Sequence, residues 1–305
     1  MKALVTGATG LVGTALVSAL REAGYEVIAL GSHHADLRDA TATEALFARH
    51  RPDIVYHLAA RVRGIMGNAG SQGDAFLDNI RINTNTVDGA RKAGTRKLVA
   101  MGSAAIYADG VPLPMGEDDA WAGAPHRSEA GYAHAKLARL AQLEAYREQW
   151  GLDYAYCIST NLFGPGDRFD ERHGHVIPSL ISKFHRAIVT GEPVTVWGSG
   201  TPTRDFLYVA DAAAALRQIG AAGSGAVNLA SGQSVSIRAV AELIAEIVGY
   251  RREILWDRSK PDGQLRRAYD VSRLRALGVA PGRTLRDGLA ETYGWFAAHA
   301  AEARR

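Results

Sequence analysis

The sequence predicts an α/β fold in which a doubly wound parallel sheet carries a smaller lobe. Through the first half of the 305-residue chain, short β-rich runs alternate with amphipathic runs of helical period. This alternation is typical of βαβ units with right-handed crossovers, which place their strands in one parallel sheet. A glycine-rich turn directly after the first strand and a hydrophobic content of 47%, enough for a large core, agree with this fold class.

The elements of the first half follow in order from their periodicity. Strands are predicted at KALVTG, EVIAL, DIVYHLAA, KLVAMGS and DYAYCIST. Helices are predicted at LVGTALVSALREAG, ATEALFARH, FLDNIRINTNTVDGARKAG and SEAGYAHAKLARLAQLEAYREQWG. The first of these helices ends in a glycine, which is a common helix terminator.

The second half is less regular. NLFGPGDRFDERHG predicts a long loop, and DFLYVADAAAALRQIG predicts a strand and a helix that rejoin the sheet. Amphipathic helices are predicted at HVIPSLISKFHRAIVTG, VSIRAVAELIAEIVG and TLRDGLAETYGWFAAHA. We therefore expect a nucleotide-binding sheet domain and a discontinuous substrate lobe with a cleft between them. The sheet domain would comprise residues 1–163 and 206–232, and the lobe residues 164–205 and 233–305.

Composition and charge narrow the class of protein. The formal net charge is only +3 with scattered basic residues, which argues against nucleic acid and suits a small anionic ligand. The single cysteine, Cys157, excludes internal disulfides and Cys-based zinc sites, and its strand-like surroundings predict a buried, inert thiol. No run of 18 apolar residues and no signal-peptide pattern is present, so we expect no membrane span and a cytoplasmic location.

The glycine-rich turn VTGATGLVG predicts a dinucleotide site. Gly7, Gly10 and Gly13 stand between the first strand and the first helix. A tight turn, close approach of the backbone to a pyrophosphate, and close helix–strand packing each require a missing side chain. The helix N-terminus would then face the phosphate charge, as in a Rossmann domain.

The end of the second strand favours NADP(H) over NAD. NAD-binding domains usually place a carboxylate there for the ribose hydroxyls, but this strand continues into Ser32, His33 and His34. No acid would repel a 2′-phosphate, and no arginine is available to clamp it. Asp36 and Leu37 would lie at the edge of the adenine, and a helix cap or turn is the alternative role for Asp36.

The run YAHAK predicts a proton-transfer site. Tyr132 and Lys136 stand four residues apart on a predicted helix and therefore share a face, a spacing that surface pairs also show. An ammonium beside a phenol is expected to lower the phenol pKa from about 10 toward neutrality, so that it exchanges a proton with a sugar or alcohol oxygen. Ser103, at the carboxyl end of a predicted strand, would hold the same oxygen.

Longer runs carry a resemblance to a known family. They are HLAARVRGI, GSAAIY, GYAHAK, TNLFGPGDRF, HVIPSLISKFHRA, VWGSGTPTRDFLYVAD and KPDGQLRRAYDVSRL, which together are distributed over most of the chain. The chain resembles the extended short-chain dehydrogenases/reductases of the nucleotide-sugar type. Within them it is most similar to the GDP-L-fucose synthase-like family, whose members act as epimerase/reductases on GDP-4-keto-6-deoxy sugars.

The resemblance implies roles for individual residues. Ser103, Tyr132 and Lys136 match the reductase triad, and His175 matches the acid/base for epimerisation. The implied cofactor site comprises Gly7, Gly10, Leu11, Val12, Gly13, Ser32, His33, Asp36, Leu37, Leu58, Ala59, Ala60, Asn79, Tyr132, Lys136, Asn161, Leu162 and His175. The implied substrate site comprises Ser103, Ala104, Ala105, Asn161, His175, Val176, Lys183, Trp197, Arg204 and Arg267. Its cations suit a diphosphate, although Lys183 and Arg267 are also compatible with solvated helix charges.

One position departs from the family pattern. The family has a cysteine two residues after the serine, where this chain has Ala105. That cysteine and the histidine together move protons at the carbons beside the ketone, and a methyl group cannot. The resemblance therefore implies an NADPH-dependent C4 reductase that lacks full C3/C5 epimerisation, unless another residue or a water takes the role.

Alternatives remain open at this point. They are a bifunctional epimerase/reductase, a redox-neutral NAD-dependent 4-epimerase and a nucleotide-sensing regulatory protein on the same fold. No metal is expected. The expected ligand is a GDP-linked keto sugar, hexose or heptose, and the resemblance implies a homodimer formed through the helices near residues 74–94 and 129–151.

Overall fold

The computed structural model describes residues 1–62, 70–171 and 174–304. Within these ranges the strands are β1 (Lys2–Thr6), β2 (Glu26–Leu30), β3 (Ile54–His57), β4 (Lys97–Met101), β5 (Asp153–Ser159), β6 (Asn161–Phe163), β7 (Thr195–Trp197), β8 (Thr203–Arg204), β9 (Phe206–Tyr208), β10 (Gly225–Leu229), β11 (Val235–Ser236) and β12 (Leu255–Asp257). The helices are α1 (Leu11–Glu22), α2 (Ala40–His50), α3 (Gln72–Lys92), α4 (Ala130–Trp150), α5 (Val176–Thr190), α6 (Val209–Ala222), α7 (Ile237–Val248), α8 (Ser272–Ala276) and α9 (Leu285–Ala298).

Six strands form one parallel sheet, which confirms the predicted fold class. Their order is β10-β5-β4-β3-β1-β2, so the sheet is wound in both directions from β1. The central strands are buried along their length, as expected for a parallel sheet covered on both faces. The carboxyl ends of β1, β3, β4 and β5 consequently meet at one edge, where a ligand crevice forms in such sheets.

Helix boundaries follow from local capping chemistry. Asp39 accepts a hydrogen bond from the Ala42 amide at 3.0 Å where α2 begins. Thr284 likewise accepts from the Asp287 amide at 3.2 Å where α9 begins. At the other end, α4 stops at Gly151, which adopts a left-handed φ of 69° that favours glycine.

One expectation for the second half is wrong. The strand in DFLYVAD does not rejoin the main sheet, because β9 pairs with β6 in a separate two-stranded sheet beyond the carboxyl edge. The sixth strand of the main sheet is instead β10, which runs beside β5. The helix of that run, α6, does pack against β4, β5 and α1 as expected. The long loop predicted around residue 170 includes residues 172 and 173, which lie outside the described ranges.

The buried apolar side chains form two clusters. The first is built on the main sheet and on the helices that cover it, α1, α2, α3, α4 and α6. The second is built on α5, α7 and α9, with Phe163 and Tyr208 at its edge. The chain returns to the first cluster late, through Tyr269, Val271 and Leu274. The domain boundaries given above stay a prediction. In the described ranges no helix is both long and apolar enough to cross a bilayer.

Candidate active site

The glycine-rich turn forms a cradle that side chains would fill. Gly7 has φ +70°, and a Cβ on it would lie 2.8 Å from the Ala59 amide nitrogen at the end of β3. A Cβ on Gly13 would lie 2.1 Å from the Gly7 carbonyl oxygen, so this residue permits α1 to pack on β1. Gly10 precedes the first turn of α1, which carries no acidic residue and no capping side chain. The cradle therefore fits a dinucleotide pyrophosphate.

The end of β2 carries no carboxylate, as the sequence indicates. Ser32, His33 and His34 are exposed, and the two imidazole rings lie 3.9 Å apart. The nearest acid along the chain, Asp36, forms an ion pair with Arg38 at 2.7 Å, and this pairing lowers the pKa of its carboxyl to about 2. Arg38, which the sequence reasoning did not single out, is therefore occupied by Asp36 and by Asp78.

Asn79 lies deeper than its predicted role suggests. Its side chain is fully buried, and its amide donates to the Arg61 carbonyl at 3.0 Å and to the Ala75 carbonyl at 2.7 Å. The Arg61 amide in turn donates to the Asn79 side chain at 3.0 Å. Asn79 thus anchors the loop after β3, and its contact with a cofactor stays a prediction.

Ser103, Tyr132 and Lys136 come together at the carboxyl end of β4. Ser103 follows β4 directly, and its hydroxyl lowers the pKa of the Tyr132 phenol, which favours the ionised form. The Lys136 Nζ lies 5.3 Å from the centre of the Tyr132 ring. It donates to the Met101 carbonyl oxygen, the last of β4, at 3.0 Å. The two elements β4 and α4 therefore assemble the predicted trio.

The electrostatics of this trio differ from the expectation. Burial has the largest effect on Tyr132 and raises its pKa, whereas the Arg139 cation and the Ser103 hydroxyl lower it. Burial and the Arg139 charge together hold the pKa of Lys136 well below its usual range. The expected shift of the phenol toward neutrality is thus wrong, because desolvation outweighs the neighbouring cation. A phenol that keeps its proton at neutral pH is suited to act as an acid.

A buried polar network behind the trio was missed by the sequence reasoning. The Thr6 hydroxyl donates to His57 Nδ1 at 2.8 Å, His57 Nε2 donates to Asn83 Oδ1 at 3.1 Å, and the Asn83 amide donates to the Ala135 carbonyl at 3.2 Å. Asn83 Oδ1 also accepts from Arg139 at 3.2 Å. Tyr132, Lys136 and Arg139 stand at i, i+4 and i+7, the spacing of one helix face, which is the sequence signal that indicates this arrangement.

Ala105 lies in the short turn of 3₁₀ helix after Ser103. Its amide donates to the Ser103 hydroxyl at 3.2 Å, and its side chain is partly exposed. The only thiol in the chain, Cys157, is fully buried in β5, where burial raises its pKa to about 12. The prediction of a buried thiol is therefore confirmed, and Cys157 has neither the exposure nor the acidity to replace a cysteine at position 105.

His175 is exposed at the N-terminus of α5, close to a buried acid. Asp167 is 7% exposed, and among the described residues its Oδ2 has no hydrogen-bond partner. Burial raises the pKa of Asp167, while the charges of His175 and Arg304 oppose that shift. Asp167 belongs to the run that carries the family resemblance, but the sequence reasoning assigned it no role.

Arg204 and Arg267 form a pair of neighbouring cations. Arg204 donates to the Thr203 carbonyl at 2.8 Å and to the Gln264 carbonyl at 2.7 Å, and Arg267 donates to the Ala104 carbonyl at 2.7 Å. Burial first, and then the charge of Arg267, lower the pKa of Arg204. Among the described residues neither arginine forms an ion pair with a carboxylate. Two guanidinium groups beside the loop after β4 are suited to a phosphate-bearing ligand.

The remaining predicted cation, Lys183, lies beside Trp197 together with a second lysine. This side chain is 47% exposed at the end of β7, and the Nζ atoms of Lys183 and Lys260 lie 5.4 Å and 5.8 Å from its ring centre. Burial lowers the pKa of Lys183. Lys260 was not predicted, although it belongs to the run KPDGQLRR. The other predicted site residues lie at the N-terminus of α1 (Leu11, Val12), after β2 (Leu37), after β3 (Leu58, Ala59, Ala60), in the turn after β4 (Ala104), in β6 (Asn161, Leu162) and at the start of α5 (Val176).

Comparison with known proteins identifies the family. Residues 3–230 match the NAD dependent epimerase/dehydratase family. The chain is 40% identical over 299 residues to GDP-L-fucose synthase 1 of Arabidopsis thaliana, covering 97% of this chain and 93% of that protein. It is 36% identical to GDP-L-fucose synthase of Escherichia coli (strain K12), covering 97% and 96%. A crystal structure of a GDP-L-fucose synthetase from Naegleria fowleri bound to NADP superposes with a TM-score of 0.91 at 31% identity, covering 100% and 96%. The chain therefore belongs to this family of extended short-chain dehydrogenases/reductases, in the branch that contains the GDP-L-fucose synthases.

Proposed function

We propose that this protein is an NADPH-dependent C4 ketoreductase of a GDP-linked 4-keto-6-deoxy sugar, hexose or heptose, without full C3/C5 epimerase activity. The observation that carries the proposal is the assembled trio of Ser103, Tyr132 and Lys136 beside Ala105. The proton-transfer groups for a carbonyl oxygen are present, whereas a methyl group occupies the position of the second epimerisation acid/base. The cofactor identity is supported by the glycine cradle, the absence of a carboxylate after β2 and the NADP bound by the Naegleria relative.

The chain's own residues would carry the proton chemistry of the reduction. NADPH, when bound, supplies the hydride for C4. Tyr132, whose pKa is raised by burial, keeps its proton at neutral pH and gives it to the developing C4 alkoxide. Ser103 would orient that oxygen through its hydroxyl, and the Lys136 Nζ, a hydrogen-bond donor in either protonation state, would support the phenolate that remains. Arg204 and Arg267 would bind the diphosphate of the substrate through charge-assisted hydrogen bonds.

Turnover in heavy water tests the absence of epimerisation. The purified enzyme is given GDP-4-keto-6-deoxymannose and NADPH in D₂O, and the product is examined by NMR and mass spectrometry. Proton abstraction at C3 or C5 would place solvent deuterium on those carbons. We expect a C4-reduced product without deuterium at C3 or C5 beyond that of an enzyme-free control.

Ala105→Cys is the matched control for this experiment. The new thiol would stand where the family has its cysteine, with His175 still in the chain, so we expect deuterium to enter the product at C3, C5 or both. Deuterium at these carbons in the wild-type product would contradict the proposal and support the bifunctional epimerase/reductase instead. Turnover without loss of NADPH absorbance at 340 nm would support the redox-neutral 4-epimerase.

We further propose a homodimer formed through α3 and α4, as the resemblance implies. These two helices pack side by side, and Phe76, Leu77 and Trp150 expose large apolar surfaces on them. Light scattering at several concentrations tests the dimer, and Leu77→Lys is expected to yield monomers. A cytoplasmic location also stays a prediction, which fractionation of the source cells tests.

A further inference from the structure

Arg139 is a buried cation that no carboxylate pairs with among the described residues. Its side chain is 1% exposed and lies on the α4 face that carries Tyr132 and Lys136. Its guanidinium donates to Asn83 Oδ1 at 3.2 Å and to the Met101 carbonyl, and its carbon Cζ lies 5.3 Å from the centre of the Tyr156 ring. Its Nε has no partner among the described residues. All of these hydrogen-bond acceptors are neutral.

Such an arrangement is costly unless the charge has a use. Burying an unpaired charge carries a large desolvation penalty, and burial lowers the pKa of Arg139 accordingly. A guanidinium nevertheless stays protonated at neutral pH. Its neutral partners do not require it: Asn83 Oδ1 accepts from His57 Nε2 at 3.1 Å, and the Met101 carbonyl accepts from Lys136 at 3.0 Å. The need to give these buried acceptors a donor therefore does not explain why an arginine stands at position 139.

We propose that Arg139 is a positioning residue for the reduction: it holds the Met101 carbonyl and provides a permanent positive charge that sets the pH range over which Tyr132 supplies its proton. This inference rests on the proposed function. Arg139 and Lys136 donate to the same carbonyl oxygen at the end of β4, directly before the loop that carries Ser103. Arg139 thus gives that backbone a second fixed donor beside Lys136.

The charges around the phenol support this role. The Arg139 cation lowers the pKa of both Tyr132 and Lys136. Lys136 is thereby disfavoured as an ammonium, so the lasting positive charge of the site resides on Arg139. The side chain of α3 that faces this cluster is the neutral Asn83. Titratable groups face the cluster from the other elements packed against it. They are Lys136 and Tyr132 on α4, Glu129 before α4, His57 on β3, and Tyr156 and Cys157 on β5.

The sign of the expected pH effect follows from the acid role. Reduction uses the protonated phenol, so its rate falls as pH rises through the pKa of Tyr132. A nearby cation stabilises the phenolate and lowers that pKa. Removal of the cation therefore moves the alkaline limb of the pH–rate profile for reduction to higher pH. In the reverse direction the phenolate is the base, and the acidic limb for alcohol oxidation must move up by the same amount. Neighbouring charges within a few ångströms shift a pKa by about 1–3 units.

The test compares Arg139→Met, Arg139→Lys and Arg147→Met in both reaction directions. Arg147 lies on the same helix, 4.1 Å from the Tyr154 ring centre, and makes no contact with the trio. We expect Arg139→Met to melt at or above the wild-type temperature and to shift both limbs upward by about one pH unit. Arg139→Lys keeps a positive charge, so its two limbs should shift by no more than half as much. Arg147→Met should leave both limbs at their wild-type pH.

A second variant keeps the test decisive if Arg139→Met does not fold. Asn83→Asp leaves the guanidinium in place and puts a carboxylate beside it at nearly constant shape, so the same upward shift is expected. Limbs that coincide with wild type in the folded Arg139 or Asn83 variants, or an equal shift in Arg147→Met, overturn the inference. Tyr132→Phe separates this failure from failure of the proposed function: if it turns over the keto sugar at the wild-type rate, the proposed function itself is wrong.

Discussion

The molecule contains two groups of cations that differ in what surrounds them. Lys136 and Arg139 lie on the buried face of α4 and are bound to neutral backbone and amide oxygens. Arg204, Arg267 and Lys183 are partly exposed at the edge of the second cluster and are bound to carbonyl oxygens. A buried, fixed cation acts strongly on a neighbouring proton, whereas a cation open to solvent is available to bind an anion. We therefore propose that the first group serves the chemistry and the second the binding of the nucleotide.

The largest effect is expected at the buried centre. Tyr132→Phe removes the acid and keeps the ring, so the rate of keto-sugar reduction should fall by about 10³-fold, within the range of general acid catalysis. Loss of NADPH absorbance at 340 nm measures the rate. NADPH binding, followed by fluorescence, should be retained, and a variant with wild-type turnover would remove Tyr132 from the mechanism.

The next largest effect is expected at the glycine cradle, where a substitution should lower the free energy of unfolding. Gly13→Ala would place a Cβ 2.1 Å from the Gly7 carbonyl, so the free energy of unfolding should fall by about 1–3 kcal/mol and NADPH binding should weaken. Gly294→Ala on α9 is the control, because a Cβ there meets nothing within 4 Å. It should gain up to about 1 kcal/mol from helix propensity. Equal stability of the two variants in denaturant unfolding would contradict the role given to the cradle.

The exposed cations should affect binding rather than chemistry. Arg204→Ala removes half of a guanidinium pair, so the KM for the GDP-linked substrate should rise about tenfold while kcat stays within twofold. Arg286→Ala, which breaks a surface ion pair with Glu246 at 2.5 Å, is the control and should leave both constants unchanged. A fall of kcat without a change of KM in Arg204→Ala would move this residue into the chemical step.

The smallest effect concerns the buried histidine behind the trio. Burial, with the charges of Arg139 and Lys136, holds the pKa of His57 well below 6.5. Between its pKa in the native state and 6.5, this histidine is therefore protonated in the unfolded chain and neutral in the native state. Its contribution to stability is complete above pH 6.5 and is lost as pH falls below that value, by up to about 1.4 kcal/mol per pH unit. Denaturant unfolding at pH 7.0 and 5.5 should show this slope in wild type and in His299→Gln, an exposed control, and not in His57→Gln. Parallel slopes in all three proteins would exclude His57 as its source.

The same contrast explains what the sequence could predict. The strands and helices of the main sheet, the glycine turn and the Tyr132–Lys136 pair depend on local spacing, which the sequence displays directly. The pairing of β10 with β5 and of β9 with β6 depends on contacts between distant segments, so the expectation that the strand of DFLYVAD rejoins the main sheet was wrong. Arg139 fits the same helical period, but an arginine on a helix is ordinarily a solvated charge, so its burial is visible only in the folded chain.

The binding cations required more than periodicity. Arg204 and Arg267 lie 63 positions apart in irregular segments, and only the family resemblance placed them in one site before the structure did. The raised pKa of Tyr132 was missed for a related reason: spacing indicates a neighbouring lysine but not the burial that raises the pKa of the phenol. The meaning of Ala105 likewise depended on the family pattern.

The most direct test of the central claim is the stoichiometry and stereochemistry of a single complete conversion. GDP-4-keto-6-deoxymannose is converted to completion with NADPH, the oxidised cofactor is counted by absorbance, and the product configuration is determined by NMR. The account predicts one NADPH oxidised per sugar and a C4 alcohol that keeps the substrate's configuration at C3 and C5. A product inverted at either carbon, or conversion without NADPH oxidation, would contradict it.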